Sequence, residues 1–180
     1  MRLGAIGELI MAEKPKLGRT RLVLIDGPSG AGKTTLAYAL AGTIPAEIVH
    51  TDDLLDGWAG QFTYWARLES QILQPIASGE AGYYQAYNWV EARFDEEWIK
   101  VPVPEVLIVE GVGAGREQGR DRASLVIFVS EPLAVREARS LARDGIEMQE
   151  HLRSWRRREE LHFGADATAW CAGLVIGSGT

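Results

Sequence analysis

Eight consecutive residues after a short apolar run have the types and spacing that hold phosphate groups. Gly27 is followed, after four residues, by Gly32, Lys33 and Thr34, which is the pattern of a phosphate-binding loop. Its glycines allow a tight turn whose backbone N–H groups point at phosphates, and the helix that follows adds the positive end of its dipole. We expect Lys33 to reach the β- and γ-phosphates of a nucleotide and the Thr34 hydroxyl to bind Mg²⁺. The nucleotide-binding residues predicted here are Gly27, Ser29, Gly30, Ala31, Gly32, Lys33, Thr34 and Thr35.

Carboxylates follow two other apolar runs, where ligands of a parallel sheet gather outside the strand ends. Glu110 closes the run 106–109 and precedes a glycine-rich stretch. It is therefore predicted to hold Mg²⁺, and the alternative is a glutamate that only begins a loop. Asp52 and Asp53 close the run 46–50. We predict that Asp52 accepts the proton of an attacking hydroxyl and lies near the metal, while Asp53 forms the next turn beside the substrate.

Composition excludes several classes of protein. The chain has 180 residues, 46% of them hydrophobic and 24% charged, and a formal net charge of -6. One domain with a sizeable core fits this length, and the negative charge argues against nucleic acid as a partner. The single Cys171 cannot form an internal disulfide, and no apolar run could cross a bilayer. We expect a cytoplasmic protein without membrane contact, and the oligomeric state stays open.

Apolar runs alternate with helical patterns along the chain, which predicts a parallel sheet covered on both faces. Strands are predicted at 21–26, 46–50, 106–109, 124–129 and 174–176. Helices are predicted from Thr34 to Ala41, over about 58–78, and from Pro132 to about Arg143. The first 20 residues are predicted to be a lead-in segment with a short helix.

The order of several short motifs resembles uridine kinase-like proteins of the P-loop nucleoside and nucleotide kinase group. The matching pieces, over about 22–176, are Ile25 to Thr34, Asp52, Tyr87-Asn88-Trp89, Val109-Glu110-Gly111 and Arg136-x2-Arg139-x3-Arg143-Asp144. The resemblance implies a three-layer α/β/α P-loop NTPase fold with a five-stranded parallel sheet and a small arginine-bearing lid. The kinase domain would span 21–180, with an acceptor-side insert at about 55–100 and the lid at about 132–158.

The resemblance also implies roles for the arginines, of which seven out of fifteen lie between 136 and 158. Arg139 and Arg143 would be catalytic and Arg136 nucleotide-binding, in a lid helix that closes over the phosphates. Arg139 and Arg143 share a helix face, and a supplied arginine is worth about 10³–10⁵ in rate. Two alternatives stay open for the four arginines between positions 153 and 158: they contact an anion, or they form a solvated face with Glu159 and Glu160. That group comprises Arg153, Arg156, Arg157 and Arg158.

The acceptor side departs from the family pattern. The family has the sequence Tyr-Asp-Phe, followed nearby by a histidine. In this chain Asn88 replaces the aspartate, Trp89 replaces the phenylalanine, and Ala92 stands at the position of the histidine. Asparagine can bind a sugar hydroxyl but is not a charged acceptor. Many aromatic residues in this region are expected to form a satellite core. The predicted substrate-binding residues are Asp53, Tyr84, Tyr87, Asn88 and Trp89.

The motifs together predict a kinase that uses ATP and Mg²⁺ to phosphorylate a hydroxyl of a small molecule, first of all a nucleoside. One alternative keeps the fold but changes the acceptor to a sugar acid or an antibiotic hydroxyl, because of Asn88 and Ala92. A second alternative is a regulator that binds nucleotide without transfer. The sequence does not distinguish ATP from GTP as the donor.

Overall fold

The computed structural model describes residues 2–177 of the chain. Nine strands are present in the described residues, and five of them form the main sheet. The strands of the main sheet are β1 (Arg21–Asp26), β2 (Ala46–His50), β7 (Val106–Glu110), β8 (Ala123–Ser130) and β9 (Leu174–Gly177). The other four form two small antiparallel pairs: β3 (Gly82–Tyr84) with β6 (Ile99–Val101), and β4 (Tyr87–Asn88) with β5 (Arg93–Phe94).

Helices connect the strands and flank the main sheet. The α-helices are α1 (Leu3–Ala12), α2 (Lys33–Ala41), α3 (Trp65–Leu68), α4 (Gln74–Ala77), α5 (Glu117–Arg120), α6 (Leu133–Asp144), α7 (Gln149–Asp166) and α8 (Thr168–Cys171). A π-helical turn, Glu69–Leu73, joins α3 to α4. Short 3₁₀ turns lie at Thr51–Leu54, Trp58–Gly60 and Ile146–Met148.

The main sheet is parallel and has the order β2-β7-β1-β8-β9. The five strands predicted from apolar runs are therefore confirmed, and β2 has the predicted bounds. Strand β8 is one residue longer at each end than predicted, because its flanking residues continue the ladder with β1 and β9. All strands point the same way, so the carboxyl ends of β1, β2 and β7 lie along one edge of the sheet.

Two hydrophobic cores cover the two faces of the sheet, which makes the three layers of an α/β/α fold. Side chains alternate along β1, so that Leu22 and Leu24 enter one core while Val23 and Ile25 enter the other. Helices α1 and α2 cover the second face, and the lead-in helix contributes the buried Ile10. Helix α7 and the α3–α4 segment cover the first face.

The helix predicted over about 58–78 begins later than expected. Residues 58–64 form turns, and α3 begins at Trp65. Tertiary contacts hold this stretch: Tyr64 is fully buried and its hydroxyl donates to the Val112 carbonyl at 3.2 Å. Near the helix end, Pro75 has no N–H to donate to the carbonyl four residues earlier. The chain accommodates it with the π-helical turn that precedes α4.

Candidate functional site

The phosphate-binding loop lies between β1 and α2 and is packed tightly on both sides. Gly27 has φ 140°, and a Cβ there would lie 2.1 Å from the Val129 carbonyl oxygen. Gly30 has φ 78°, and a Cβ there would lie 2.5 Å from the Arg136 carbonyl oxygen. Only glycine fits either position, because the backbones of β8 and α6 approach the loop so closely.

Lys33 and Thr34 begin helix α2 directly after the loop. Lys33 is 8% exposed, and its ammonium group donates to the Pro28 carbonyl at 3.2 Å, across the loop. The Thr34 hydroxyl donates to the Glu110 carboxylate at 2.9 Å. The first turn of a helix leaves backbone N–H groups without intrahelical partners. The positive charge of Lys33 and the free backbone N–H donors of α2 therefore lie together beside the ends of β1 and β7.

Glu110 is held by a histidine from the neighbouring strand. His50 Nδ1 lies 2.6 Å from Glu110 Oε1, and the Tyr38 hydroxyl lies 3.1 Å from His50 Nε2. Burial alone would raise the Glu110 pKa, but the His50 hydrogen bond, the Lys33 ammonium and the Thr34 hydroxyl lower it below its usual value. The Glu110 hydrogen bond raises the pKa of His50, against the effect of its partial burial. Glu110 is thus ionised and fixed in orientation.

Asp52 and Asp53 follow β2 and both line the same cleft as Glu110. The Asp52 side chain is open to water in the cleft, but the cleft walls still remove part of its hydration. This loss of hydration raises the pKa of Asp52, as do the nearby carboxylates, whereas Lys33 and Arg143 lower it. Asp53 accepts a hydrogen bond from the Tyr84 hydroxyl at 3.3 Å, and desolvation raises its pKa too.

Asp26 ties the phosphate-binding loop to the loop after β7. Its side chain is fully buried, and its two oxygens accept the N–H groups of Gly27, Gly113 and Gly115 at 2.6 to 2.8 Å. Burial raises the pKa of Asp26 to about 6, although these N–H groups and Lys33 lower it. In the sequence, Asp26 is only the last residue of a predicted strand and has no signal of a further role. Contacts spanning 87 and 89 residues have no local sequence signal.

Helix α6 carries the three arginines predicted for the lid, and they differ in position. Arg139 and Arg143 line the cleft. Arg139 donates to the Gly30 carbonyl at 3.2 Å. Arg143 pairs with Asp144 at 2.7 Å and also interacts electrostatically with Asp52. Arg136 instead donates to the Glu131 carbonyl at 3.0 Å and is not among the lining residues. Its backbone, rather than its guanidinium group, contacts the loop at Gly30.

Four later arginines lie on α7, and none is among the residues that line the cleft. Arg156 pairs with Glu137 of α6, while Arg158 donates to Gln61 and to the Trp58 carbonyl. Arg153 and Arg157 are exposed. These arginines therefore contact neighbouring parts of the fold or face solvent, and of the two alternatives, pairing with Glu159 or Glu160 is not among the described hydrogen bonds and ion pairs.

The predicted acceptor residues divide into those that line the cleft and those that support its wall. Asp53 and Trp89 line it, whereas Tyr84, Tyr87 and Asn88 are not among the lining residues. Asn88 shapes the β4–β5 turn, because its side-chain oxygen accepts the N–H groups of Val90 and Glu91. The Tyr87 ring packs edge-on against Trp89. Direct substrate contact by Tyr84, Tyr87 and Asn88 stays a prediction.

One cleft of about 820 Å³ gathers most of these groups. Polar and charged groups lie toward the phosphate-binding loop, while Leu55, Met148, Leu152 and three tryptophans form apolar wall. The predicted site residues that line it are Ser29, Gly30, Gly32, Lys33, Thr34, Thr35, Asp52, Asp53, Trp89, Glu110, Arg139 and Arg143. Gly27, Ala31 and Arg136 are the predicted nucleotide-binding residues that do not line it.

The donor atoms in the cleft fit Mg²⁺ with a phosphate ligand better than a metal held by protein alone. Among residues 2–177 no group of three or more His, Cys, Asp or Glu side chains is suited to a metal ion. Mg²⁺ usually takes one or two carboxylates, keeps several waters and shares substrate phosphates. Thr34 Oγ1 and Glu110 Oε1, 2.9 Å apart, are oxygen ligands of that kind.

Among residues 2–177 no helix is long and apolar enough to span a membrane.

Comparison with solved structures shows that the chain has the fold of the P-loop kinases. A possible uridine kinase from Bacillus stearothermophilus superposes with a TM-score of 0.72 at 18% identity, over 97% of this chain and 96% of that one. A proposed fructose transport system kinase from Silicibacter sp. TM1040 superposes with a TM-score of 0.61 at 24% identity, over 97% and 98% of the two chains. The predicted three-layer α/β/α fold with its five-stranded parallel sheet is confirmed.

Sequence comparison adds no closer relative. No protein-family model matches the chain, and no curated protein matches it in sequence. At the identities found among solved structures the likeness concerns the fold, and the chemistry has to be argued from the site itself.

Proposed function

We propose that this chain is a kinase that transfers the γ-phosphoryl group of ATP, with Mg²⁺, to a hydroxyl group of a small molecule, with nucleosides as the first candidates. One observation supports the proposal above all others. A phosphate-binding loop, a Thr34–Glu110 oxygen pair, the carboxylate of Asp52 and two arginines line one cleft. The two solved kinases share this fold over nearly their whole length, which agrees with phosphoryl transfer.

The Thr34–Glu110 pair is the place for the metal. The Thr34 oxygen keeps lone pairs free while its proton is donated to Glu110. Glu110 is ionised, because the hydrogen bond from His50 and the charge of Lys33 outweigh the effect of burial on its pKa. Mg²⁺ bound here would neutralise charge on the β- and γ-phosphates. Lys33 and the backbone N–H groups of the loop hold those phosphates in place.

Asp52 is placed to act on the acceptor. Loss of hydration in the cleft raises its pKa, which makes the carboxylate a stronger base than one in water. It lies at the end of β2, next to β7, whose last residue is Glu110. An acceptor hydroxyl that donates its proton to Asp52 would be oriented toward the phosphoryl group. Asp53 would border the same acceptor.

Arg139 and Arg143 supply positive charge from the lid. Both already have protein partners: Arg139 contacts the Gly30 carbonyl and the Glu131 carboxylate, and Arg143 pairs with Asp144. Both guanidinium groups are exposed to solvent, so they can exchange these contacts for phosphate oxygens at small cost. We infer that the two arginines stabilise the charge that develops on the transferring group and that α6 helps to exclude water.

Acceptor-stimulated release of ADP tests the proposal. The protein is incubated with ATP and Mg²⁺, and ADP is measured with and without a panel of nucleosides, sugars and amino alcohols. We expect at least one class to stimulate ADP release and to gain a phosphate detectable by mass spectrometry. The Lys33→Ala variant should lose nearly all of this activity, whereas Lys16→Ala, an exposed lysine outside the cleft, should keep it.

Three results would count against the kinase. Nucleotide binding without acceptor-stimulated ADP release across the panel would support a regulator that binds nucleotide without transfer. Full activity in Lys33→Ala would remove the phosphate-binding loop from the mechanism. ADP release that is independent of any acceptor would indicate a hydrolase instead.

A further inference from the structure

The acceptor-side segment contributes an unusual set of side chains to the cleft. Five lining residues come from the segment 51–101, and they are two acids, one leucine and two tryptophans: Asp52, Asp53, Leu55, Trp58 and Trp89. No lysine or arginine of this segment lines the cleft in the described structure. The segment therefore offers flat apolar surface and negative charge, and no group that would attract an anion.

The basic residues of this segment are engaged elsewhere. Arg67 donates to the Leu54 carbonyl at 3.3 Å and stacks over the Phe94 ring. Arg93 is exposed beside Glu91, and Lys100 is exposed in β6. The lysine and arginines that line the cleft are Lys33, Arg139 and Arg143, and they belong to the phosphate-binding loop and α6, while His50 lines it beside Glu110. Positive charge thus gathers at the phosphate end of the cleft.

The tryptophans form a corner whose rings are held in fixed orientations. Trp58 meets Trp89 edge-on, with ring centroids 5.4 Å apart, and meets Trp155 edge-on at 5.6 Å. The Trp155 indole N–H donates to Glu159, which fixes that ring from behind. Trp89 is also supported by the Tyr87 ring at 5.2 Å. His151 stacks on Trp58 but is not a lining residue.

Indole rings that are steeply inclined to one another have a defined binding preference. Each face attracts flat apolar rings and also cations, because the ring quadrupole is negative at the face. An acid group on the ligand would meet this negative face together with Asp52 and Asp53, and would lose part of its hydration with no lysine or arginine of the acceptor-side segment to compensate. The nearby Asp53 carboxylate would in contrast attract an ammonium group.

We propose that the acceptor is a small hydroxyl compound that carries no acid group and presents a flat apolar or cationic face to Trp58 and Trp89. This inference rests on the proposed kinase activity, since it concerns the acceptor of that reaction. It disfavours sugar acids as acceptors. Nucleosides and hydroxylated amines both satisfy it.

Three probes of similar size separate the sources of recognition. They are benzyl alcohols with a para carboxamide, a para aminomethyl group or a para carboxylate; the carboxamide and the carboxylate have the same shape and differ in charge, and the aminomethyl group adds a cation of similar size. Binding is measured by calorimetry and by tryptophan fluorescence, with Mg²⁺ and a non-hydrolysable ATP analogue present. We expect the neutral and cationic probes to bind at least about tenfold more tightly than the carboxylate, as expected for one unpaired charge near a like charge.

Variants test which side chains cause the preference. Trp89→Leu should weaken binding of the neutral and cationic probes about fivefold or more, the size of one lost ring–ligand contact. Trp89→Phe should retain most of the affinity because it keeps a ring face. Trp98→Leu is the matched control, since Trp98 is exposed and is not a lining residue. Asp53→Asn should reduce the discrimination against the carboxylate.

Binding and transfer fail separately in this design. Equal or tighter binding of the carboxylate, no binding of any probe at millimolar concentration, or a Trp89→Leu variant with full affinity would each overturn the acceptor inference. If the probes bind in the expected order but no hydroxyl compound gains a phosphate, the inference about the ligand class is supported and the proposed kinase activity is refuted. Thermal unfolding of each variant shows whether it is folded.

Discussion

The carboxylate of Glu159 accepts hydrogen bonds from both the backbone N–H and the hydroxyl of Ser29, at 2.9 and 2.5 Å. The two residues are 130 positions apart, and Glu159 is buried. The same oxygen accepts the Trp155 indole N–H at 2.8 Å. One carboxylate therefore joins helix α7, the phosphate-binding loop and the aromatic wall of the cleft.

Removing this carboxylate should loosen the phosphate-binding loop. We expect Glu159→Ala to lower the free energy of unfolding by about 1–3 kcal/mol, the usual cost of leaving buried hydrogen-bond partners unsatisfied, and to weaken ATP binding. Glu159→Gln should lose less because its amide oxygen can still accept. The measurements are urea unfolding and nucleotide titration, with the exposed neighbour Glu160→Gln as control. Additive effects of Glu159→Ala and Ser29→Ala would show that the two residues are not coupled.

Exchange of Asp52 should separate phosphoryl transfer from nucleotide binding. Asp52→Asn keeps the shape of the side chain but removes the proton acceptor, so we expect the rate to fall by about 10²–10⁴. Affinity for ATP without acceptor should change much less. Single-turnover assays and nucleotide titrations measure the two effects, and Asp56→Asn, which is exposed and outside the cleft, is the control. Parallel losses of rate and ATP affinity would remove Asp52 from the role of base.

The buried Asp26 should give stability a defined dependence on pH. Its pKa is about 6 in the folded protein against 3.8 in a free chain, because burial opposes its ionisation. The folded state therefore holds this proton more tightly than the unfolded state between those values. Stability from this group is fully present below about pH 4 and is lost as the pH rises through about 6, by about 3 kcal/mol in total.

Comparison with Asp26→Asn isolates this effect, since other acids titrate equally in both proteins. The difference in unfolding free energy, wild type minus variant, should fall between about pH 4 and about pH 6 and be constant above. Urea unfolding at several pH values measures it. A difference that rises with pH in this window would mean that the three N–H groups outweigh burial and lower the Asp26 pKa.

Two glycine-to-alanine substitutions should have opposite effects on the stability of the protein. Gly30→Ala places a methyl group 2.5 Å from the Arg136 carbonyl oxygen at a φ of 78°, so it should destabilise the protein and separate α6 from the loop. Gly164→Ala lies within α7 with no atom near the added methyl group and should stabilise by about 1 kcal/mol. Thermal unfolding distinguishes them. A harmless Gly30→Ala would show that α6 does not pack on the loop in solution.

Local patterns were enough to predict the sheet and the phosphate-binding loop. Apolar runs of four to eight residues bounded by glycine, proline or acids mark buried strands, and the loop has fixed spacing. The contacts that hold the site residues in place could not be predicted from local patterns. His50 is the last residue of the predicted strand 46–50, and its hydrogen bond to Glu110 depends on the pairing of β2 with β7.

Distance along the chain explains the remaining differences. The roles of Asp26 and Glu159 depend on partners 87 to 130 residues away, which no local period reveals. The start of α3 was predicted too early because helical spacing also occurs in residues 58–64, where buried contacts of Tyr64 fix a turn instead. Arg136 has the spacing of a lid arginine, but its side chain turns to the Glu131 carbonyl.

The strand order has a consequence for how the chain folds. Strands β1 and β2 are the first to be synthesised, yet they do not pair with each other, and β7 lies between them. The central pairing of Arg21 with Val106 closes a loop that includes the whole acceptor-side segment. Such long-range closure is slow, because the chain loses entropy before the new contacts stabilise it. The main sheet can nucleate only after β7 has left the ribosome, so β1 and β2 have no partner strand until then.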